Sequence, residues 1–141
     1  MDLEFLDMVI NLKTLYDGRI VLISCGAFYI SIGSDAVLLN RVLGLKLNCM
    51  SRHICKVGVP KCSIDKYIDK IEDLGYSYIV LEYNANNEEI VKIKENSKGQ
   101  KVDNYVYNTN CNKCDNYKKN KPSIYNKVYE KYLKENEDTI I

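Results

Sequence analysis

Two cysteines near the end of the chain have the spacing of a metal-binding knuckle. Cys111 and Cys114 are separated by two residues, and such a pair can supply half of a tetrahedral zinc site. The other two ligands would have to come from His53 or from cysteines far upstream, none of which forms a second pair of this spacing. A redox pair is disfavoured because no strand-to-helix junction precedes Cys111. We therefore expect free thiols at Cys111 and Cys114, which remain the weak candidates for a metal site, and no structural zinc.

The single histidine could take part in nucleophilic chemistry. His53 lies two residues from Cys55, and an imidazole beside a thiol can activate it. The spacing implies no third catalytic group, so a half-buried histidine in a strand is the simpler interpretation. The sequence also has no Gly-x-x-x-x-Gly-Lys-Ser/Thr loop, the phosphate cradle of many ATP-hydrolysing proteins. We expect a protein that is not an enzyme and that binds neither ATP nor another cofactor.

Two groups of basic residues could contact a nucleic-acid backbone. Between residues 94 and 121, lysines outnumber acids and are interleaved with Tyr105, Tyr107 and Tyr117. Basic side chains among aromatic rings are typical of surfaces that follow a single strand or a phosphate backbone, although a solvated Asn-rich loop is an alternative. The second group is formed by Arg41, Lys46 and Arg52. These three are candidate phosphate contacts, or ordinary surface residues.

Overall charge and hydropathy exclude two classes of protein. The chain has 20 Lys and Arg against 19 Asp and Glu, a formal net charge of +1, so any affinity for nucleic acid must come from a local patch. No apolar run approaches the roughly 18 residues of a membrane span, and the acidic start lacks the features of a secretory signal. We expect a cytoplasmic protein without membrane contact, with reduced cysteines and one compact unit of 141 residues.

Hydrophobic periodicity predicts the elements that must position these residues. Helical spacing predicts a helix over residues 3–16 and a second over 35–43, capped by Ser34 or Asp35. Strands are predicted at 20–23 and, after Gly26, at 27–32.

The pattern continues through a hairpin of residues 45–48 and 53–57. Gly58-Val59-Pro60 then breaks the strand, and Ser63 caps a helix over 64–74 that ends at Gly75. Strands at 76–83 and 89–94 follow. The chain beyond residue 96 is predicted to be irregular, with a last helix opened by Pro122. The sequence thus predicts a mixed α/β (α+β) module over residues 1–95, and an Asn/Lys/Tyr-rich extension over 96–141 whose helix packs on the module.

Several short motifs follow one another in a specific order. These are Gly26-Ala27-Phe28-Tyr29, Asp35-Ala36, Gly58-Val59-Pro60, Tyr67 and Gly75. In order and spacing they resemble the first domain of the MutS DNA mismatch-repair family, where the stretch reads Gly-x-Phe-Tyr-Glu, then Asp-Ala, then Gly-x-Pro before a long helix. The resemblance covers about residues 6–82 and at most extends to 94. It implies a MutS domain I-like mixed β-sheet flanked by helices, here as a stand-alone protein.

The resemblance also assigns a role to one aromatic residue. In that family the phenylalanine enters the minor groove and stacks on a mispaired base, to which the glutamate donates or accepts a hydrogen bond. Phe28 takes the position of this wedge, and Tyr29 beside it is a second candidate DNA contact. Unstacking costs least at a mispaired or flexible step. Ile30 stands in place of the glutamate and cannot form the hydrogen bond. On the residues alone, the simpler interpretation is that Phe28 and Tyr29 alternate between core and surface of a strand.

These observations lead to two hypotheses of different classes. The first is a non-enzymatic DNA-binding accessory that recognises mismatched, distorted or unpaired DNA through Phe28 and works with another protein. The second is a protein-interaction module that kept the MutS-like fold, lost DNA recognition and uses Ile30 and nearby apolar side chains as a partner surface. A truncated gene remnant without a selected activity is a third possibility.

Overall fold

A computed structural model describes residues 3–51, 53–102, 105–107, 109 and 124–136. The helices of the described chain are α1 (Leu3–Leu15), α2 (Gly33–Leu43), α3 (Ile64–Asp73) and α4 (Ile124–Glu135), with a short 3-10 turn at Lys61–Ser63. The strands are β1 (Ile20–Cys25), β2 (Phe28–Ile32), β3 (Asn48–Ser51), β4 (Ile54–Pro60), β5 (Tyr78–Asn84) and β6 (Glu89–Asn96). They form one six-stranded sheet. The predicted mixed α/β (α+β) class, a mixed sheet flanked by helices, is confirmed.

Two adjacent parallel strands near the centre of the sheet are buried. The strand order is β3-β4-β2-β1-β5-β6, with β1 and β5 parallel and the other neighbours antiparallel. Residues 20–23 of β1 and 78–81 of β5 are buried throughout. Strands that are covered on both faces consist of continuous apolar runs instead of alternating ones. The uninterrupted aliphatic runs in the sequence therefore marked the two central strands.

Helices cover the two faces of the sheet, and strand β2 contributes to both cores. Ile30 and Ile32 pack with α1 and α4 on one face, whereas Tyr29 packs with α2 and α3 on the other. On the first face, α4 buries Val128 and Tyr132 against α1. Burial of such side chains contributes about 1.5–3 kcal/mol each. The last helix was predicted correctly and packs on the module, while the division of the chain at residue 95 stays a prediction.

A buried ion pair connects the first two helices. Lys13 Nζ lies 2.8 Å from Asp35 Oδ2, and both side chains are 1% exposed. Lys13 also donates to the carbonyl oxygen of Arg19 at 2.5 Å and lies 4.3 Å from the centroid of the Tyr105 ring. Burial raises the pKa of Asp35 to about 6, against the Lys13 ammonium, which acts to lower it.

The position of Asp35 corrects the prediction that Ser34 or Asp35 caps α2. The N-cap residue is Ile32, and no side chain caps the helix. Asp35 pairs with Lys13 instead, and Ser34 Oγ accepts a hydrogen bond from the Val106 amide at 3.0 Å. Ser63 likewise makes no cap hydrogen bond for α3. Gly75 does have the expected left-handed backbone, with φ of +84°. At the start of α2, contacts with distant elements therefore replace the predicted side-chain cap.

The hairpin of β3 and β4 differs from the prediction in both strands. Residues 45–47 precede the first strand, because Leu45 turns into the core shared by α2 and α3. The second strand does not break at residue 58 but continues to Pro60, paired with β2. Pro60 is tolerated at the strand's end, where its missing N–H is not needed within the ladder. His53 was predicted within a strand, but it is exposed in the turn, with φ of +62°.

The burial of the cysteines and the length of the helices can be compared with two further expectations. Among the described cysteines Cys55 is buried, Cys25 and Cys49 are half-buried and Cys62 is exposed. Cysteines within apolar or mixed segments of a sequence are expected to be small buried side chains, and this expectation is wrong for Cys62. Within the described ranges, no helix combines the length and the apolar character needed to cross a membrane.

Candidate nucleic-acid interface

A tight turn between β1 and β2 forms an exposed tip of the sheet. Cys25 pairs with Phe28 across the two-residue loop Gly26-Ala27. Gly26 has φ of +59° at the first central position, where a type II′ hairpin turn requires a positive φ. A Cβ at Gly26 would meet nothing within 4 Å, so backbone conformation alone explains the glycine. The turn leaves Gly26, Ala27 and Phe28 exposed, while the strand residues that follow are buried.

Phe28 is an aromatic ring held in solvent at this tip. Its side chain is 46% exposed, so the alternative in which it enters the core does not apply. A Cβ added at Gly58 would lie 3.3 Å from Phe28 Cδ1, which means that the ring lies across this glycine of β4. A glycine within a strand often marks such a close approach. Gly58 therefore supports one side of the ring and leaves another side open.

A cleft of about 300 Å³ opens beside Phe28. It is lined by Cys25, Phe28, Ile30, Lys46, Asn48, Lys56 and Gly58. Lys46 comes from the loop before β3, and Asn48 and Lys56 are paired across β3 and β4. The turn and the hairpin thus bring two ammonium groups and one carboxamide to the side of an exposed aromatic ring.

Lys46 is a candidate phosphate contact from the sequence, whereas Lys56 is recognised only in the structure. In β4 the burial alternates, with Cys55 and Val57 buried and Lys56 half-exposed between them. Lys56 therefore lies on the same side of the strand as Gly58, two residues later, and so on the side of Phe28. Correct placement of β4 beside β2 would have revealed this lysine. Its neighbours in the sequence gave no such signal.

Ile30 forms an apolar part of the cleft and belongs to the core. It is 3% exposed and packs in the cluster that α1 and α4 cover. The position where the resembling motif has a glutamate therefore has no polar group. Because Ile30 is buried, it offers almost no surface to a protein partner. The part of the second hypothesis that places Ile30 in a partner surface is therefore wrong.

Tyr29 supports the tip from the opposite face of the sheet. It is 5% exposed, and its hydroxyl donates to Glu82 Oε1 at 2.8 Å. Lys61 donates to Glu82 Oε2 at 2.7 Å, and the Lys61 amide donates to the Ala27 carbonyl at 3.0 Å. These bonds connect β2, β5, the turn and the end of β4. The prediction that Tyr29 contacts DNA is therefore corrected, because its ring is buried away from Phe28.

The charges around Tyr29 agree with this supporting role. Burial acts to raise the pKa of Glu82, but hydrogen bonds from Lys61 and Tyr29 outweigh it and hold that pKa below its usual range. Burial and the bond to Glu82 raise the pKa of Tyr29 to about 12. At neutral pH the phenol is therefore a donor, the carboxylate is ionised, and the network is fully formed.

Of the two candidate arginines, Arg41 alone is among the described residues. Arg41 is exposed on α2, which covers the face of the sheet opposite the cleft. Arg52, Cys111, Cys114 and Tyr117 lie outside the described residues. Among the described residues, no group of three or more His, Cys, Asp or Glu side chains is arranged to hold a metal ion.

Two tyrosines of the Lys- and Tyr-rich segment act as anchors. Tyr105 donates to the Ile32 carbonyl at 2.5 Å and packs edge-on against Tyr107, with 4.8 Å between ring centroids. The Tyr107 hydroxyl lies 3.1 Å from that of Thr14 in α1. Burial raises the pKa of Tyr105. These two rings therefore pack on the module and are not available to stack on bases.

Two comparisons with known proteins agree with the geometry. A family model described as MutS domain I matches residues 4–109, a range that includes the whole sheet and the Tyr105–Tyr107 contact. The chain is 32% identical over 77 residues to a DNA mismatch repair protein MutS of Thermodesulfovibrio yellowstonii. That match covers 52% of the chain and 9% of the relative. The matched part of the chain thus spans less than a tenth of the length of this curated relative.

Proposed function

The chain belongs to the MutS domain I family, and from this premise we propose that it binds DNA distorted by a mismatched or unpaired base, with Phe28 as a wedge. The family implies a DNA-binding role related to mismatch repair. The proposal adds the wedge residue, a lysine surface around it, and a role without catalysis. It also adds a protein partner that supplies further activity.

The observation that carries the proposal is the exposed aromatic ring on a supported tip. A half-exposed phenylalanine is unfavourable in an isolated protein, because its apolar surface remains in water. Two features keep the ring in place, namely Gly58 beneath it and the Tyr29–Glu82–Lys61 network behind the turn. A wedge must keep its position while it separates stacked bases, since otherwise the side chain yields instead of the DNA. These contacts support the proposal that Phe28 is the wedge.

The apolar residue at position 30 defines what kind of selectivity to expect. A wedge alone tests how easily a base step opens, and this cost is lowest at mispaired, bulged or flexible steps. Without a polar group at Ile30, the hydrogen-bonding edges of the mispaired base are not checked by that side chain. We expect a preference that ranks DNA by deformability and depends little on which two bases are mispaired.

Competition between duplexes of the same sequence tests this proposal. One duplex is fully matched, one has a single mismatch, and one has a single unpaired nucleotide. Unstacking costs a few kcal/mol at a base step, and each 1.4 kcal/mol is a factor of ten. We expect a preference of roughly tenfold or more for the two distorted duplexes. Equal affinity for all three would contradict the proposal.

The two lysines of the cleft should contribute affinity without selectivity. Lys46→Ala and Lys56→Ala are each expected to weaken binding to matched and mismatched duplexes alike. Each lost phosphate contact should reduce the slope of log affinity against log salt concentration by about 0.9. Fluorescence anisotropy across a salt series measures this slope.

Lys70→Ala is the matched control, because Lys70 is exposed on α3, which covers the face opposite the cleft. Its slope should equal that of the parent. If Lys70→Ala lowered the slope as much as Lys56→Ala, the lysine surface around Phe28 would have no special role.

A further inference from the structure

The cleft beside Phe28 has the dimensions of a small ligand site. Its volume of about 300 Å³ is at the lower end of the range for small-molecule sites, which begins near 300 Å³. A single nucleotide is a ligand of this class, whereas a base pair needs more room. The cleft is also continuous with the ring of Phe28, so a group that leaves a base stack at the wedge would enter it directly.

The residues around the cleft match the parts of a nucleotide. The Phe28 ring offers a stacking surface, as aromatic side chains do for unpaired bases. The Asn48 carboxamide has two donors and one acceptor for the edge of a base. Lys46 and Lys56 supply positive charge for a phosphate. Among the described residues that line the cleft there is no carboxylate to repel that phosphate.

We propose that this cleft receives one unpaired nucleotide, with its base against Phe28, its base edge at Asn48 and its phosphate at Lys46 and Lys56. Ile30 then has a positive role, because an apolar wall at this point suits a base that has left the stack, whereas a buried carboxylate would lose its hydration. The inference rests on the proposed function for its natural ligand, the extrahelical nucleotide of a bulge. It adds a binding site that a wedge does not require.

Cys25 provides a direct readout of occupancy. Its thiol is half-buried and lines the cleft, so a nucleotide in the cleft should shield it from iodoacetamide. The probe is deoxyadenosine monophosphate with the parent protein, and the rate at each cysteine is followed by peptide mass mapping. The rate follows the unliganded fraction, so it should fall about tenfold at a concentration ten times the Kd. Cys62 is the internal control, since it is exposed and does not line the cleft.

Variants of the cleft separate a nucleotide site from general shielding. Asn48→Ala and Lys56→Ala should each raise the nucleotide concentration needed for protection, by about tenfold for the charged contact. Lys70→Ala should leave it unchanged, and inorganic phosphate alone should protect poorly. Circular dichroism of each variant confirms the fold. An unchanged Cys25 rate at saturating nucleotide, or equal protection by phosphate, would overturn the proposal.

A duplex experiment distinguishes failure of this inference from failure of the proposed function. Asn48→Ala should lose affinity for a duplex with one unpaired nucleotide but keep the parent's preference for a mismatched over a matched duplex. If the bulge affinity of Asn48→Ala equals that of the parent while the mismatch preference persists, the nucleotide site is refuted and the wedge stands. If the parent shows no mismatch preference, the proposed function itself fails. Even in that case, protection of Cys25 by the mononucleotide tests the nucleotide site independently, because that assay uses no duplex.

Discussion

Phe28→Ala is expected to abolish the preference for distorted DNA and to weaken binding to a mismatched duplex by about 5- to 150-fold. Base-aromatic stacking is worth about 1–3 kcal/mol per base by alanine substitution, which corresponds to this range. Binding to the matched duplex should change little, because its phosphate contacts remain. Competition between mismatched and matched duplexes at constant salt measures both effects. The fold should be retained, since Phe28 is 46% exposed and surface substitutions change stability little.

Two further variants make this prediction specific. Leu74 is also 46% exposed, and it follows α3, which packs on the face of the sheet opposite Phe28. Leu74→Ala should keep the parent's preference. Phe28→Tyr retains the ring and should retain most of the selectivity. A full preference in Phe28→Ala, or the same loss in Leu74→Ala, would show that the selectivity arises elsewhere.

Lys13→Met is expected to lower the free energy of unfolding by about 3–5 kcal/mol at pH 8, because removal of one partner of a buried pair leaves an uncompensated charge. Here that charge is Asp35, which is 1% exposed. The Arg19 carbonyl loses its donor as well. Methionine approximates the length of lysine, so little volume is lost. Urea unfolding followed by circular dichroism measures the difference.

The exposed Lys70→Met is the control and should change the free energy of unfolding by no more than about 0.5 kcal/mol. Adding Asp35→Asn to Lys13→Met removes the unpaired charge and should recover part of the stability. A single Lys13→Met variant as stable as the parent would show that the pair contributes nothing to the fold.

The stability of Lys13→Met should depend on pH in a defined direction. In the parent, burial raises the pKa of Asp35 from 3.8 to about 6, so the folded state binds this proton more tightly than the unfolded state does. This group therefore makes the free energy of unfolding fall as pH rises between about 4 and 6. Loss of the Lys13 ammonium raises that pKa further. The deficit of the variant should thus shrink at acidic pH, and a deficit that grows instead would contradict this role of Asp35.

Local sequence patterns were sufficient for most of the fold and for the tip. Continuous aliphatic runs identified β1 and β5, and the glycine before Phe28 marked the turn that exposes it. Such patterns depend on residues close together in the chain. They predict which segments form strands and helices, and they located one aromatic residue at the end of a strand.

The rest of the site depends on contacts between distant residues. Tyr29 and Glu82 are 53 positions apart, and no local pattern indicates that this tyrosine supports the tip from behind. Asp35 resembled a helix cap because its true partner, Lys13, lies in another helix. Lys56 came into the cleft only through the pairing of β4 with β2. In each case the tertiary partner, which the sequence pattern does not reveal, determined the role of the side chain.

Base unstacking at the wedge can be observed directly with the fluorescent base 2-aminopurine, whose emission increases when it leaves the stack. The base is placed next to a mispair in one duplex and at the same position in a matched duplex. Saturating parent protein should raise the emission strongly in the mismatched duplex, whereas Phe28→Ala at saturation should leave it near the level of free DNA. If the parent bound the mismatched duplex without a change in emission, or if Phe28→Ala raised it equally, Phe28 would not be a wedge.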